Sequence, residues 1–281
     1  RELGVLKSRG VAIPDRKRVE PKAAAAAETL EAWFMPQDPS GVATITMDRP
    51  EKRNAMTDAM WSAFEARLGD LDPGGTDRVL VVTGAGGAFC GGSDVGGLLE
   101  DLPSLRERID VSNRCVLAMR ELPIPTIAKV GGVAAGSGAN LALACDLVYA
   151  ADSARFVQIF IHRGLSLDSG ASWLLPRLVG ERRALELSLL GDPVAAAAAY
   201  DMGMVTAVVA DDRLDERVGE VAARLAAFNP LALAGTKRLV ATTWTRTLGQ
   251  ALDAEADNQV GVITSDDARA RIGGFRRSAH G

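Results

Sequence analysis

The sequence predicts an α/β fold, in which parallel strands alternate with helices, followed by a mostly helical C-terminal third. Four apolar stretches of strand length recur in the first 150 residues, and segments with helical spacing of apolar residues lie between them. Strands that alternate with helices pair in parallel, because each crossover helix packs back onto the sheet. From about Asp192 onward the pattern becomes mostly helical, so a helical C-terminal region is predicted.

In the first half, residues 42–47, VATITM, alternate as a strand does. A helix beginning at Thr57 carries its apolar side chains on one face: Met60, Trp61, Phe64, Leu68 and Leu71. Residues 78–83 form the second strand. The next helix stops before Pro123, and its apolar face consists of Leu105, Ile109, Val116 and Met119. Residues 126–130 form a third strand.

The second half begins with a glycine-rich turn, GGVAAGSGAN, which leads into a short apolar helix, LALAC, and a fourth strand at residues 146–150. The loop GLSLDSG precedes a helix that contains Trp173, Leu174 and Leu175. A later helix has one apolar face, made of Leu214, Val218, Val221 and Leu225, and Asn229-Pro230 begins another. We divide the chain into a tail (1–28), a core (29–205) and a helical C-terminal subdomain (206–281).

Composition argues against several classes of protein. The 281 residues carry a formal net charge of −4 and no basic stripe, so a nucleic acid is not an expected partner. No apolar run reaches the ~18 residues of a membrane span. Two histidines are too few for a histidine-rich metal site, and no metal is expected. Three cysteines without C-x-x-C spacing indicate reduced thiols in a cytoplasmic protein.

The first 28 residues differ from the rest. Lys and Arg are frequent up to Lys22, and five alanines follow. The segment lacks the apolar h-region of a secretory signal, and its acidic residues, Glu2, Asp15 and Glu20, disfavour an organelle transit segment. We therefore expect a flexible tail or an over-extended start.

Two glycine-rich turns, residues 84–94 and 131–140, each follow a strand and each open a short helix. Glycine lets a backbone approach a ligand closely. The N–H groups at a helix start are unpaired and carry partial positive charge. Two such groups that converge on one point form an oxyanion hole. The alternative is that both glycine sets only permit tight turns, and the pattern alone leaves the two readings open.

Four motifs, in this order and spacing, resemble the crotonase (enoyl-CoA hydratase/isomerase) superfamily: VATITMDRPEKRNAM, VLVVTGAGGAFCGGSD, PTIAKVGGVAAGSGANLALACDLVYAA and GLSLDSGASWLLPRLVG. The resemblance covers roughly residues 40–280. It implies a β-β-α spiral core, a helical C-terminal region used to assemble a homotrimer or a dimer of trimers, and an acyl-CoA thioester as ligand. Coenzyme A is then part of the substrate, and no separate cofactor is expected.

The resemblance also implies roles for individual residues. The two oxyanion donors map onto the backbone N–H groups of Ser93 and Ser137, so that Ser93 contributes its backbone and not its hydroxyl. The positions implied to bind substrate are Asn54, Ala55, Met56, Gly92, Asp94, Gly136, Asn140, Phe160 and Phe275.

Three positions bear on the reaction. Hydratases of this family hold a water between two glutamates, and the matching positions here are Asn140 and Phe160, neither of which takes a proton from water. Asp168, in LSLDSG, is the one carboxylate in the right neighbourhood, and apolar surroundings would raise its pKa. In these features the chain is most similar to the branch that isomerises 1,2-epoxyphenylacetyl-CoA and shifts enoyl-CoA double bonds.

We therefore predict an acyl-CoA isomerase in which Asp168 moves a proton through an enolate held by Ser93 and Ser137. The alternative role for Asp168 is an Asx-type cap of its loop. Two other functions remain open. One is hydration, with Asp168 and Asn140 orienting a water, and the other is acyl-CoA binding with little catalysis.

Overall fold

The computed structural model of the chain describes residues 34–35, 40–96 and 102–278. The predicted tail at 1–28 and the side chain of Phe275 lie outside the described part.

The described strands are β1 (Phe34–Met35), β2 (Val42–Met47), β3 (Val79–Gly84), β4 (Thr126–Val130), β5 (Val133–Ala135), β6 (Leu147–Ala151), β7 (Arg155–Val157), β8 (Val194–Ala195) and β9 (Ala207–Val209). The main sheet has the order β1-β2-β3-β4-β6-β9, and a small sheet has the order β5-β7-β8. In the main sheet every pair is parallel except β1 with β2. The first five residues of β3 are buried, as expected for a parallel strand covered on both faces.

The described α-helices are α1 (Asp58–Asp70), α2 (Leu105–Glu121), α3 (Ser137–Ala144), α4 (Ala171–Val179), α5 (Glu181–Leu190), α6 (Ala196–Asp201), α7 (Leu214–Ala226), α8 (Pro230–Ala241), α9 (Leu248–Ile263) and α10 (Asp266–Ser278). Short 3₁₀ helices include Pro50–Lys52 and Ile159–Arg163.

The predicted fold class and helical C-terminal region are confirmed. The four predicted strands agree with β2, β3, β4 and β6 to within one residue. The predicted starts of two helices, at Thr57 and Asn229, are also confirmed. Thr57 caps α1 by accepting from the N–H of Met60 at 3.2 Å, and Asn229 caps α8 by accepting from that of Ala232 at 3.1 Å. Local sequence therefore determines where the longer elements lie.

Several short elements differ from the predictions. The stretch 131–140 is not a continuous turn, because it contains β5 and α3 already begins at Ser137. The strands β7, β8 and β9 were not predicted, since two or three residues are too few to show a periodic pattern. The short helix expected after residue 94 falls partly on 97–101, outside the described residues. The predicted domain boundary at 205 stays a prediction; β9, just after it, pairs with β6 in the main sheet.

A partly buried ion pair attaches α8 to the sheet. The Lys237 ammonium lies 2.8 Å from Asp146 Oδ2 and donates to the carbonyl of Ile124 at 3.1 Å. The same carboxylate oxygen accepts from the backbone N–H of Thr126 at 2.8 Å. Asp146 is thus a structural residue at the start of β6. Within the described residues, no helix has the length and apolar character needed to cross a bilayer.

Candidate active site

Four residues predicted to act together line one cavity of about 630 Å³: Ser93, Ser137, Phe160 and Asp168. Gly92, Asp94 and Gly136 line the same cavity, as the sequence predicts. The cavity lies where the two glycine-rich turns meet, and the 3₁₀ helix Ile159–Arg163 and the loop that ends at α4 also line it.

Backbone hydrogen bonds hold the two turns against each other. The N–H groups of Phe89 and Cys90 both donate to the carbonyl of Val133, at 3.0 and 3.1 Å, and the N–H of Ala135 donates back to Cys90 at 2.8 Å. The start of α3 then packs on the first turn at Gly138, where an added Cβ would lie 2.6 Å from the Cβ of Cys90. Only glycine permits this approach, so α3 is placed directly beside Ser93.

The two serines form a compact hydrogen-bonded pair. The backbone N–H of Ser93 donates to the Ser137 hydroxyl oxygen at 2.8 Å, and the two hydroxyl oxygens are 2.8 Å apart. The indole N–H of Trp61 donates to the Ser93 hydroxyl at 3.1 Å. Ser137 is the first residue of α3, and no described residue accepts from its own N–H. The Ser93 N–H, predicted to be available to a ligand, is therefore engaged by Ser137, whereas that of Ser137 is available.

Asp168 lies in a strained loop and keeps one carboxylate oxygen free. Ser169 and Gly170, which follow it, have φ of +49° and +81°, in the left-handed region. The N-cap of α4 is Gly170, and the N–H of Ala171 donates to the main-chain oxygen of Asp168, so α4 begins without help from the carboxylate. The alternative role of Asp168, a cap of its own loop, stays a prediction. The Oδ1 atom of Asp168 is buried and has no hydrogen-bond partner among the described residues.

The electrostatics of Asp168 follow from this placement. Burial raises the pKa of its carboxyl above the ordinary value, and the neighbouring Ser169 offsets part of the rise. Phe160, itself buried, and Leu167 contribute apolar surface to the cavity that Asp168 lines. Because burial raises its pKa, this carboxylate is a stronger base than that of an exposed aspartate.

The predicted role of Asn140 in binding substrate or a water does not agree with its position in the structure. Its side chain is fully buried and does not line the cavity. The amide Nδ2 donates to the main-chain oxygen of Asp168 at 3.0 Å, and its oxygen accepts from Gln158 Nε2 at 3.0 Å. Because both ends of the amide bind protein groups, Asn140 supports the Asp168 loop and does not face a substrate or a water.

The Asn54-Ala55-Met56 segment also differs from its implied role. Asn54 is fully buried, and its Nδ2 donates to the carbonyls of Ala85 and Ala88, both at 2.8 Å. Met56 is buried in the core as well. The Asn54 side chain thus supports the first glycine-rich turn and that of Met56 lies in the core, so a side-chain contact with substrate stays a prediction only for the half-buried Ala55.

Trp61 and Arg108 both line the cavity but were not predicted to belong to the site. The helical pattern predicts that Trp61 lies on the apolar face of α1, but its indole N–H reaches the site and donates to Ser93. Arg108 lies in the wall and pairs with Asp58 at 2.7 Å. A helical pattern shows which face of α1 or α2 is buried, but not which polar atom reaches a neighbouring loop.

Two other groups near the site are poor candidates for chemistry. Arg49 binds the Asp94 carboxylate at 2.6 Å and holds the pKa of that carboxyl below its usual value. Burial raises the pKa of the Cys90 thiol to about 12, so it remains protonated and is not a nucleophile.

Comparisons with known proteins agree with this geometry. Residues 37–278 match the family model described as enoyl-CoA hydratase/isomerase. The chain is 39% identical over 242 residues to 1,2-epoxyphenylacetyl-CoA isomerase of Escherichia coli (strain K12), which covers 84% of this chain and 92% of that protein.

Two solved structures of proteins named as hydratases or bound to an acyl-CoA have a similar fold. An enoyl-CoA hydratase from Polaromonas sp. JS666 has a TM-score of 0.81 and 31% identity, covering 87% of this chain and 97% of that one. A Thermobifida fusca YX protein in complex with acetoacetyl-CoA has a TM-score of 0.78 and 31% identity, covering 85% and 98%.

The parallel sheet and the paired glycine-rich turns define the crotonase class of fold. Within that class, the chain belongs to the enoyl-CoA hydratase/isomerase family and is an enzyme of that family.

Proposed function

We propose that this enzyme is an acyl-CoA isomerase, which shifts a double bond or isomerises a ring epoxide of a CoA thioester. The observation that carries the proposal is the partnerless Oδ1 of Asp168, buried in the wall of the cavity that also contains Ser93 and Ser137. The likeness to 1,2-epoxyphenylacetyl-CoA isomerase supports the same reaction class.

The proton transfer uses one carboxylate twice. Asp168 removes a proton from the carbon α or γ to the thioester carbonyl, and the electron pair moves onto the thioester oxygen. The unpaired N–H of Ser137, at the positive end of α3, stabilises the resulting enolate. The protonated Asp168 then returns the proton to the other carbon, so the product differs from the substrate only in the position of the double bond.

Hydration is the weaker alternative. It needs a second group that accepts a proton from water, but Asn140 is bound to Asp168 and Gln158, and Phe160 contributes only apolar surface. Formation of 3-hydroxyacyl-CoA from crotonyl-CoA at a rate comparable with isomerisation would favour the hydratase. Tight binding of acyl-CoA esters without turnover of any of them would favour a binding protein.

The direct test is the variant Asp168→Asn, assayed for conversion of 3-enoyl-CoA to 2-enoyl-CoA. We expect kcat to fall by about 10²–10⁴-fold, because the amide cannot accept the proton. The matched control is Asp201→Asn, at an exposed position at the end of α6, which should retain the parental rate. Equal rates for Asp168→Asn and the parent would refute the assignment.

For the intact enzyme we propose a homotrimer or a dimer of trimers in the cytoplasm. Exposed apolar side chains on the C-terminal helices support self-association, among them Val240, Leu248 and Val260.

A further inference from the structure

We propose that the Ser137 hydroxyl is a side-chain oxyanion donor, held and polarised by Ser93 and Trp61. This inference rests on the proposed function, since it assigns the group that binds the thioester oxygen. It differs from the sequence prediction, in which the donors are two backbone N–H groups and the serine hydroxyls take no part.

Of the two predicted backbone donors, the Ser93 N–H is engaged within the protein and only the Ser137 N–H is available. The Ser93 N–H donates to the Ser137 hydroxyl oxygen at 2.8 Å, so an incoming carbonyl oxygen meets that hydroxyl and not the N–H. Ser137 is only 2% exposed, which leaves its side chain little room to move aside. A ligand oxygen that reaches the Ser137 N–H therefore also lies beside the Ser137 hydroxyl.

A count of hydrogens shows that one donor is left over. An indole nitrogen only donates, so the Ser93 hydroxyl oxygen accepts from Trp61. The two hydroxyls share one hydrogen bond, at 2.8 Å between oxygens, and this uses one of their two hydrogens. No other acceptor for either hydroxyl lies among the residues that the structure describes, and both serines line the cavity. One hydroxyl hydrogen is thus directed to a ligand.

The surrounding donors favour Ser137 as the source of that hydrogen. When Ser93 donates its hydroxyl hydrogen, the Ser137 oxygen accepts twice, from the N–H and the O–H of Ser93. Each accepted bond polarises the next O–H and strengthens it as a donor. The chain Trp61, Ser93, Ser137 then ends at the oxygen of the thioester, next to the N–H of Ser137. In this arrangement Ser137 touches the substrate, and Ser93 and Trp61 are positioning residues.

A chromophoric thioester tests the proposal without turnover. The probe 4-(dimethylamino)cinnamoyl-CoA absorbs at longer wavelength when its carbonyl oxygen is polarised. We expect Ser137→Ala to bind it with a smaller red shift than the parent and to lose about 10- to 100-fold in kcat for 3-enoyl-CoA, with KM little changed. The variants Ser93→Ala and Trp61→Phe should show smaller losses of the red shift and of kcat. They test the hydrogen-bond series from Trp61 to Ser137 even if Ser137→Ala folds poorly. The matched control is Ser188→Ala, whose hydroxyl bonds to Ala184 within α5.

The outcomes separate this inference from the proposed function. A red shift and a kcat in Ser137→Ala that equal or exceed the parental values would show that the hydroxyl only occupies the Ser93 N–H, and would overturn the inference. A larger loss in Ser93→Ala than in Ser137→Ala would also overturn it, because the ligand would then contact Ser93. Failure of the parent protein to bind the probe would overturn the proposed function and this inference with it.

Discussion

Asp168 combines two properties that an exposed aspartate lacks. Its backbone is fixed, because the main-chain oxygen accepts hydrogen bonds from Asn140 at 3.0 Å and from the N–H of Ala171 at 3.1 Å. Its carboxylate is left without a partner at Oδ1. The fold thus holds the residue in place and stabilises its charge only in part, through Ser169, so its pKa stays raised as an effective base requires.

This placement predicts opposite effects of pH on activity and on stability. The base must be ionised, so kcat/KM should fall as pH drops through a pKa that lies above the ordinary 3.8 of an aspartate. The folded state binds this proton more tightly than the unfolded state, so ionisation of Asp168 lowers the free energy of unfolding as pH rises through the same window. Asp168→Asn should therefore melt at a higher temperature than the parent at neutral pH.

Melting curves at neutral and acid pH check this prediction, with Asp201→Asn as the control. The higher melting temperature of Asp168→Asn should vanish at a pH where the Asp168 carboxyl is protonated in both the folded and the unfolded state. A gain that is the same at both pH values, or a neutral-pH melting temperature below the parental one, would contradict the expected cost of burying the charge.

The sequence identified the acting residues better than the supporting ones. Ser93, Ser137, Phe160 and Asp168 share one cavity, as predicted. Asn140 was expected in the site because of its position in a motif, but its side chain points into the protein. A motif fixes where a residue lies along the backbone, whereas the direction of its side chain depends on partners such as Gln158 that are distant in sequence.

At the scale of elements, the site depends on the contact between the first glycine-rich turn and α3. The sequence predicted both turns and their helix-opening character, but not β5, whose hydrogen bonds to Phe89 and Cys90 join them. A strand of three residues has no signal of its own and forms only because the other turn supplies its partner. The contact therefore depends on residues that are distant in sequence and could not be predicted locally. Only the glycine that permits it, Gly138, can be recognised from the sequence.

Substitution Gly138→Ala should disturb this contact. The added Cβ would lie 2.6 Å from both the Cβ and the main-chain oxygen of Cys90, so α3 must shift away from Ser93. We expect a loss of about 1–3 kcal/mol in the free energy of unfolding. We also expect a lower kcat, because the pair Ser93–Ser137 separates. Urea unfolding and the 3-enoyl-CoA assay measure the two effects.

The matched control is Gly219→Ala in α7, an exposed position where an added Cβ meets nothing within 4 Å. There the same substitution should leave activity unchanged and raise stability by about 0.5–1 kcal/mol, because alanine is the better helix former. Parental stability and activity in Gly138→Ala would show that α3 does not need this close approach.

At the scale of the molecule, the C-terminal helices leave much apolar surface uncovered. Trp244, Leu248 and Val260 are 69%, 76% and 65% exposed, and Leu231 and Leu252 are exposed by more than half. Single exposed apolar residues are ordinary, but a group along α8 and α9 is typical of a surface that binds another protein chain. A closed symmetric assembly of identical chains is the commonest way to cover such a surface.

We therefore expect the protein to sediment with the mass of three or six chains, and the double variant Trp244→Glu, Leu248→Glu to dissociate. Charges at these two positions would have to be buried without partners in an interface, at a cost that exceeds the gain from the remaining contacts. Circular dichroism should show an unchanged helix content, since neither side chain is buried within its own chain. The control is Leu190→Glu, a 55% exposed leucine at the end of α5, which should leave the mass unchanged. A parent protein that sediments as a monomer would contradict the proposed assembly, and a double variant of unchanged mass would place the interface elsewhere on the chain.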